Sequence, residues 1–172
     1  DDHVVWRNGF WHLKNFGPWS IRFFIGALGD DQQDRFRSRV MLLLTEMGVD
    51  ASLATVEALN SKKPFTRQNA AIVLGNIKDE RAIPALRRVT EDPNEPAEVK
   101  KFAHEALAKM IRGKDATAWK RSTDYYYELA AKYYYSHSSV IHAWQRQYLV
   151  WKWDVEKDVL TERRVARMTY NE

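Results

Sequence analysis

The chain has no cysteine in its 172 residues. That removes disulfides, thiolate zinc sites and cysteine nucleophiles together, but it says little about compartment, because exported proteins can also lack cysteine. Glycine and proline are sparse, at seven and five residues, which argues against a loop-rich or disordered chain. Long apolar runs are missing too. The longest, Val40 to Leu44, is core-sized and far short of the roughly 18 residues of a membrane span, so a soluble protein is expected. The sequence also holds no phosphate-binding glycine loop, no Gly-x-Ser-x-Gly elbow and no dinucleotide fingerprint. Nothing in it argues for an enzyme, and neither a cofactor nor a small-molecule ligand is indicated.

The remaining candidates for chemistry have simpler explanations. His137 and His142 stand five apart and would diverge on a helix, unlike the three- or four-residue spacing of a helical metal pair, so no metal site is expected. His104 beside Glu105 reads as a surface or groove residue. The carboxylate pairs Asp30-Asp31, Asp79-Glu80 and Glu91-Asp92 fall at expected helix ends, where capping and the helix dipole account for them.

What the chain has in quantity is aromatic residues, with seven Trp, eight Tyr and seven Phe. They crowd into the two ends, while the middle is built from Ala, Leu, Ile and Val. The net charge of +4 is uneven: residues 61–122 carry fourteen Lys and Arg against eight Asp and Glu. Such a basic excess is either a footprint for nucleic acid or another polyanion, or simply the solvated outer faces of helices. The chain opens at Asp1 rather than Met, as processing or trimming would leave it, and export is slightly favoured over a cytoplasmic location.

The strongest signal is internal repetition. Thr66-Arg-Gln-Asn-Ala-Ala-Ile-Val-Leu-Gly-Asn-Ile matches Val99-Lys-Lys-Phe-Ala-His-Glu-Ala-Leu-Ala-Lys-Met at a shift of 33 residues. Arg67 then falls on Lys100, Ala70 on Ala103, Leu74 on Leu107 and Ile77 on Met110. The same shift carries Leu53 onto Leu86 and Val56 onto Val89, so the preceding helices repeat as well. Each copy reads as helix, turn, helix. In the clearer copy the first helix runs from about Glu80 to Glu91, with Ile83, Leu86 and Val89 as its apolar stripe and Pro84 in the first turn, where a missing N–H is tolerated. Asp92-Pro-Asn-Glu-Pro96 is a stop, and the second helix runs from about Ala97 to Ile111, before Gly113. The earlier second helix follows Pro64, with Thr66 as N-cap and Ala70, Ala71, Val73, Leu74 and Ile77 buried. One helix pair cannot bury both of its apolar faces, so pairs must stack and share a core.

The run Thr66 to Leu86, with Arg67, Ala70-Ala71, Leu74-Gly75, Asp79 and Ala82-Ile83-Pro84-Ala85-Leu86, resembles the HEAT-like repeats of the bilin-lyase (PBS-lyase) type. The resemblance implies an all-α solenoid of antiparallel helix pairs. It also implies that Arg67 and Asp79 hold successive turns in register, as structural residues alongside Pro84. The second copy departs from the pattern, with Lys100 for Arg, His104 and Glu105 after Ala103, and no Leu-Gly. That would suit the last repeat before a different ending. A likeness to the bilin lyases themselves has no residue-level support.

Three parts follow. Residues 1–17, with Trp6, Phe10, Trp11 and Phe16, form an aromatic lead-in. Residues 18–113 are the repeats, beginning with a loosely fitting pair that buries Ile21, Phe24, Ile25 and Leu28, then Phe36, Val40, Leu43, Leu44 and Met47. Residues 114–172 hold one long capping helix from about Thr117 to Gln147, with Tyr126, Ala130, Tyr133, His137, Val140 and Trp144 along one stripe, widened by Tyr127, Tyr134 and Ile141. Period-two runs from Tyr148 to Val155 and from Val159 to Val165 then predict a β-hairpin, which must pack on the helices or pair with a strand elsewhere because a lone hairpin is marginal.

The expected function is a non-catalytic protein-interaction scaffold or accessory subunit of a larger complex. Trp6, Trp11, Trp19, Tyr126, Tyr133, Trp144, Trp151 and Trp153 are the candidate anchors, since aromatic residues dominate binding energy at interfaces. The alternative is nucleic-acid binding, similar to the HEAT-like DNA glycosylases, with Arg67, Arg87, Arg88, Lys100 and Lys101 on phosphates.

Overall fold

Four of the five prolines stand at helix starts, where the absent N–H costs nothing. A computed structural model describes residues 9, 11–13, 16, 18–111, 118–142 and 146–166. Pro18 opens α1 (Pro18–Ala27) and Pro64 opens α4 (Pro64–Ile77). Pro84 lies in the first turn of α5 (Ile83–Glu91), and Pro96 is the N-cap of α6 (Ala97–Met110). Between the first two lie α2 (Asp34–Met47) and α3 (Val49–Glu57). A single residue, Gly48, separates them at φ +61°, ψ −131°, a conformation that glycine alone adopts readily, and its N–H closes α2 on the Thr45 carbonyl at 3.1 Å.

The helices pack in two rows. Helices α2, α4 and α6 lie side by side in one; in the other α1 lies on α3, and α5 on α7 (Ser122–Tyr134). Helices α3 and α5 meet through two single 3₁₀ turns, Ala58–Asn60 and Glu80–Ala82. Within each pair the rows join, α1 to α2, α3 to α4 and α5 to α6. Small residues set the spacing: Ala51, Ala54, Ala70, Ala71, Ala85, Ala103 and Ala106 are all buried. Leu28, Leu44, Leu59, Leu74, Leu86 and Leu107 fill the volume left between the helices, all essentially inaccessible. Each such leucine contributes roughly 1.5–3 kcal/mol by leaving water.

The C-terminal strands β1 (Gln147–Asp154) and β2 (Val159–Ala166) form the antiparallel hairpin, with Trp151 opposite Glu162 and Trp153 opposite Leu160. It folds back across the row that holds α1 and α3, β1 on α3 and β2 on α1. Trp151, Trp153 and Leu160 join the main core there. The other face of the hairpin sends Tyr148 and Val165 into a small second core with Val140, Ile141, Leu129 and Tyr133.

Three expectations are corrected. The helix beyond residue 117 does not run to Gln147 but ends at Tyr134. Ser136 turns left-handed at φ +50°, its N–H meets the Tyr133 carbonyl at 3.0 Å, and the His137 N–H meets the Lys132 carbonyl at 2.8 Å. These two bonds make a Schellman closure, built without the glycine that normally signals it in a sequence. Thr66 is not an N-cap. It lies inside α4 and is buried, while Lys63 holds the cap position. Phe36 is 39% exposed rather than buried, and its neighbour Arg37 lies over the Phe65 ring at 4.5 Å.

Candidate partner-binding surface

The turns between helices are held by two arginine clusters. Arg67 donates to the carbonyls of Ser61 (2.7 Å) and Lys62 (3.1 Å) and pairs with the Glu95 carboxylate at 2.7 Å. It therefore ties the turn before its own helix to the turn of the next pair. Asp79 accepts from the Arg81 backbone N–H at 3.0 Å and from its guanidinium at 2.6 Å, while Arg81 also reaches the Val49 carbonyl at 3.2 Å. Burial pushes the Asp79 carboxyl up, but the hydrogen bonds and charge of Arg81 outweigh it and hold the group below the usual carboxylate range. Arg81 and Glu95 did not stand out in the sequence, because each acquires its partner only through the turn.

Of the residues put forward as phosphate contacts, Arg67 is engaged as described. Arg87 donates to the Lys120 carbonyl at 2.9 Å and pairs with Glu91 at 3.2 Å. Arg88 donates to Asn60 at 2.8 Å, while Lys101 is exposed with its ammonium 5.5 Å from the Phe102 ring. Much of the basic excess therefore answers carboxylates and carbonyls of the chain itself.

The hairpin is anchored by Asp158, which sits left-handed at φ +53°. Its carboxylate accepts from the Lys62 N–H (2.8 Å), the Ser61 hydroxyl (3.0 Å) and the Trp153 indole N–H (3.0 Å). Partial burial raises its pKa, but these three donors outweigh that and lower it overall. The Trp153 backbone N–H donates to Glu57 at 2.8 Å.

The proposed aromatic anchors divide accordingly. Trp151 and Trp153 are 8% and 5% exposed; an anchor needs accessible surface, so these two belong to the fold. The period-two pattern gave two faces for the hairpin but did not say that the tryptophan face lies on α3. Tyr133 is half-buried in the second core. Trp11 is 66% exposed and Tyr126 42%. Trp19 lies within α1, whereas Trp6 and Trp144 fall outside the described residues.

Among the described residues, helix α7 carries the largest exposed aromatic group. Ser122 is buried and Tyr125, Leu129 and Tyr133 are half-buried towards the body, while Tyr127, Tyr134 and Tyr135 are each about three-quarters exposed. The rings of Tyr134 and Tyr135 meet edge to face at 5.1 Å. Of the predicted stripe, Tyr126 and Ala130 are therefore one residue out of phase with the buried side, whereas Tyr133 and, beyond the helix end, Val140 are packed. The start of the helix is fixed by Glu91, whose carboxylate takes the Ser122 hydroxyl at 2.5 Å and the Ser122 N–H at 3.2 Å. Nearby, Trp119 packs on His104 with ring centroids 4.8 Å apart. Between α7 and the turn at Asp79 lies a cleft of about 490 Å³, lined by Lys78, Glu80, Arg81, Lys120, Tyr125 and Lys132 among others.

No helix among the described residues is long and apolar enough to cross a membrane. Comparison with curated proteins and with solved structures finds no match. A family model described as HEAT repeats matches residues 21–108, just over half of the chain, covering most of α1, all of α2 to α5 and most of α6. With paired helices in two rows and a 33-residue repeat, the chain belongs to the HEAT repeat family.

Proposed function

We propose that this protein is a non-catalytic interaction scaffold, an accessory subunit that holds other protein through its helix stack and its exposed aromatic residues. HEAT repeats generally mediate protein–protein interaction. The observation that carries the reading is the group Tyr126, Tyr127, Tyr134 and Tyr135, left exposed on a helix whose opposite side is packed. A tyrosine ring offers large contact area with little entropy to lose and a hydroxyl that stays satisfied in water until a partner arrives. The solenoid arrangement expected of the family would continue the row α2, α4, α6 as a second surface. Nucleic-acid binding is the weaker reading, because Arg67, Arg87 and Arg88 of its candidate contacts already have partners within the chain.

The test is a pull-down of the native protein at moderate salt, with and without nuclease, followed by mass spectrometry. A stoichiometric protein that survives nuclease is the expected result. Recovery of nucleic acid alone, lost as salt rises, would replace the scaffold with the alternative.

A further inference from the structure

We infer that the outward face of α7 pairs with the same face of a second copy of this chain, antiparallel, about a two-fold axis beside Ala130 and Ala131. This rests on the reading of α7 as an interaction surface and names its occupant.

At 3.6 residues per turn, Thr123, Tyr127, Ala130, Ala131 and Tyr134 share one face of α7, opposite Ser122, Tyr125, Leu129 and Tyr133, which turn towards the body. The face is symmetric about its own middle. Tyr127 stands three residues before Ala130 and Tyr134 three residues after Ala131, and Tyr126 and Tyr135 lie one step further out on either side. A two-fold interface requires a surface complementary to itself. Reversing one helix against the other sets alanine on alanine at the axis, where the backbones can approach closely, and places each Tyr127 beside the other copy's Tyr134.

Charge favours the same arrangement. The face holds no Lys or Arg; Asp124 borders it in the first turn, and Glu128 beside it is paired with Lys120. An antiparallel pair puts the two Asp124 carboxylates at opposite ends, away from one another. A parallel pair would set them side by side and align the helix dipoles unfavourably. Area is sufficient as well. Tyr126, Tyr127, Tyr134 and Tyr135 are 42%, 77%, 74% and 79% exposed. At roughly 150–250 Å² per tyrosine, they offer on the order of 500 Å² per copy, and the pair reaches about the 1,000 Å² that a specific interface needs.

The absence of cysteine makes the test clean. The full chain is examined by sedimentation velocity across a wide concentration range, beside a Tyr127→Ser/Tyr134→Ser variant. Separately, Ala131→Cys and Lys152→Cys variants are oxidised and their disulfide-linked dimers timed; Lys152 is exposed on the hairpin. The expected result is a dimer that the double tyrosine variant converts to a folded monomer with unchanged far-ultraviolet dichroism. Cross-linking at Ala131→Cys should be on the order of tenfold faster than at Lys152→Cys or more, because a held pair raises the local thiol concentration. A monomer at every concentration, a dimer indifferent to the tyrosine changes, or equal cross-linking rates would overturn the proposal. The scaffold reading can fail separately: a monomer that still captures a stoichiometric protein removes only the self-pairing, and a cross-linking dimer that captures nothing removes only the scaffold.

Discussion

Replacing Gly75 by alanine sets two effects of opposite sign against each other. Gly75 lies in the third-last position of α4, buried against α6. In a free helix Gly→Ala is stabilising by roughly 0.8–1.0 kcal/mol. Here a β-carbon on residue 75 would lie 2.8 Å from both the Cα and the Cβ of Ala106. Ordinary carbon contacts are about 3.5–4.0 Å, so α4 and α6 must part by roughly 0.7–1.2 Å. One of the struck atoms is backbone, and no side-chain rotation relieves it. Overpacking of this kind costs about 1–3 kcal/mol, so against the propensity gain the net loss expected is about 0–2 kcal/mol. For a chain of this length that lowers the melting temperature by up to about 8 °C. Urea and thermal unfolding followed by circular dichroism measure it directly. The double variant Gly75→Ala/Ala106→Gly should recover only part of the contact term in a double-mutant cycle, because the Ala106 Cα stays in place. If Gly75→Ala alone were stabilising by the propensity amount, the close approach of α4 and α6 would be wrong.

Arg67→Met should lower stability by about 2–4 kcal/mol in urea unfolding, because it leaves the Glu95 carboxylate, 8% exposed, without its cation; a loss below about 0.5 kcal/mol would mean the pair is screened like an ordinary surface bridge. Asp79 has a folded pKa below its unfolded value near 3.8. Its contribution is therefore complete above about pH 5 and is lost as pH falls through the folded pKa, below the unfolded value. Acid titration of stability should show this limb in the native chain and a flatter one in Asp79→Asn, and identical limbs would remove Asp79 from the account. Asp158→Ala should release the hairpin, since three donors lose one acceptor. A cost of about 2–3 kcal/mol is expected, with red-shifted tryptophan fluorescence and early proteolysis near residues 155–158; unchanged fluorescence would show that Trp151 and Trp153 hold the hairpin by themselves.

The sequence by itself determined the repeat, the helix starts at Pro84 and Pro96, and the hairpin. Each depends on a local rule: a 33-residue shift that preserves apolar spacing, prolines that tolerate only the first turn of a helix, and period-two alternation around Glu156-Lys157-Asp158. The same rules gave the buried positions of α1 and most of those of α2. They failed where the deciding atoms lie far away in the chain. The end of α7 is closed by carbonyl bonds around a left-handed Ser136 that carries no composition signal. The phase of its buried stripe was set by contact with α5 and the hairpin, and periodicity alone allowed a neighbouring choice. Tertiary structure alone decided that Trp151 and Trp153 belong to the core, that Arg67 answers Glu95 across 28 residues, and that the tyrosines of α7 are left outside. A sequence records which residues are aromatic or charged, but whether each meets water, a partner in its own chain or another molecule depends on which surfaces the packed helices leave over.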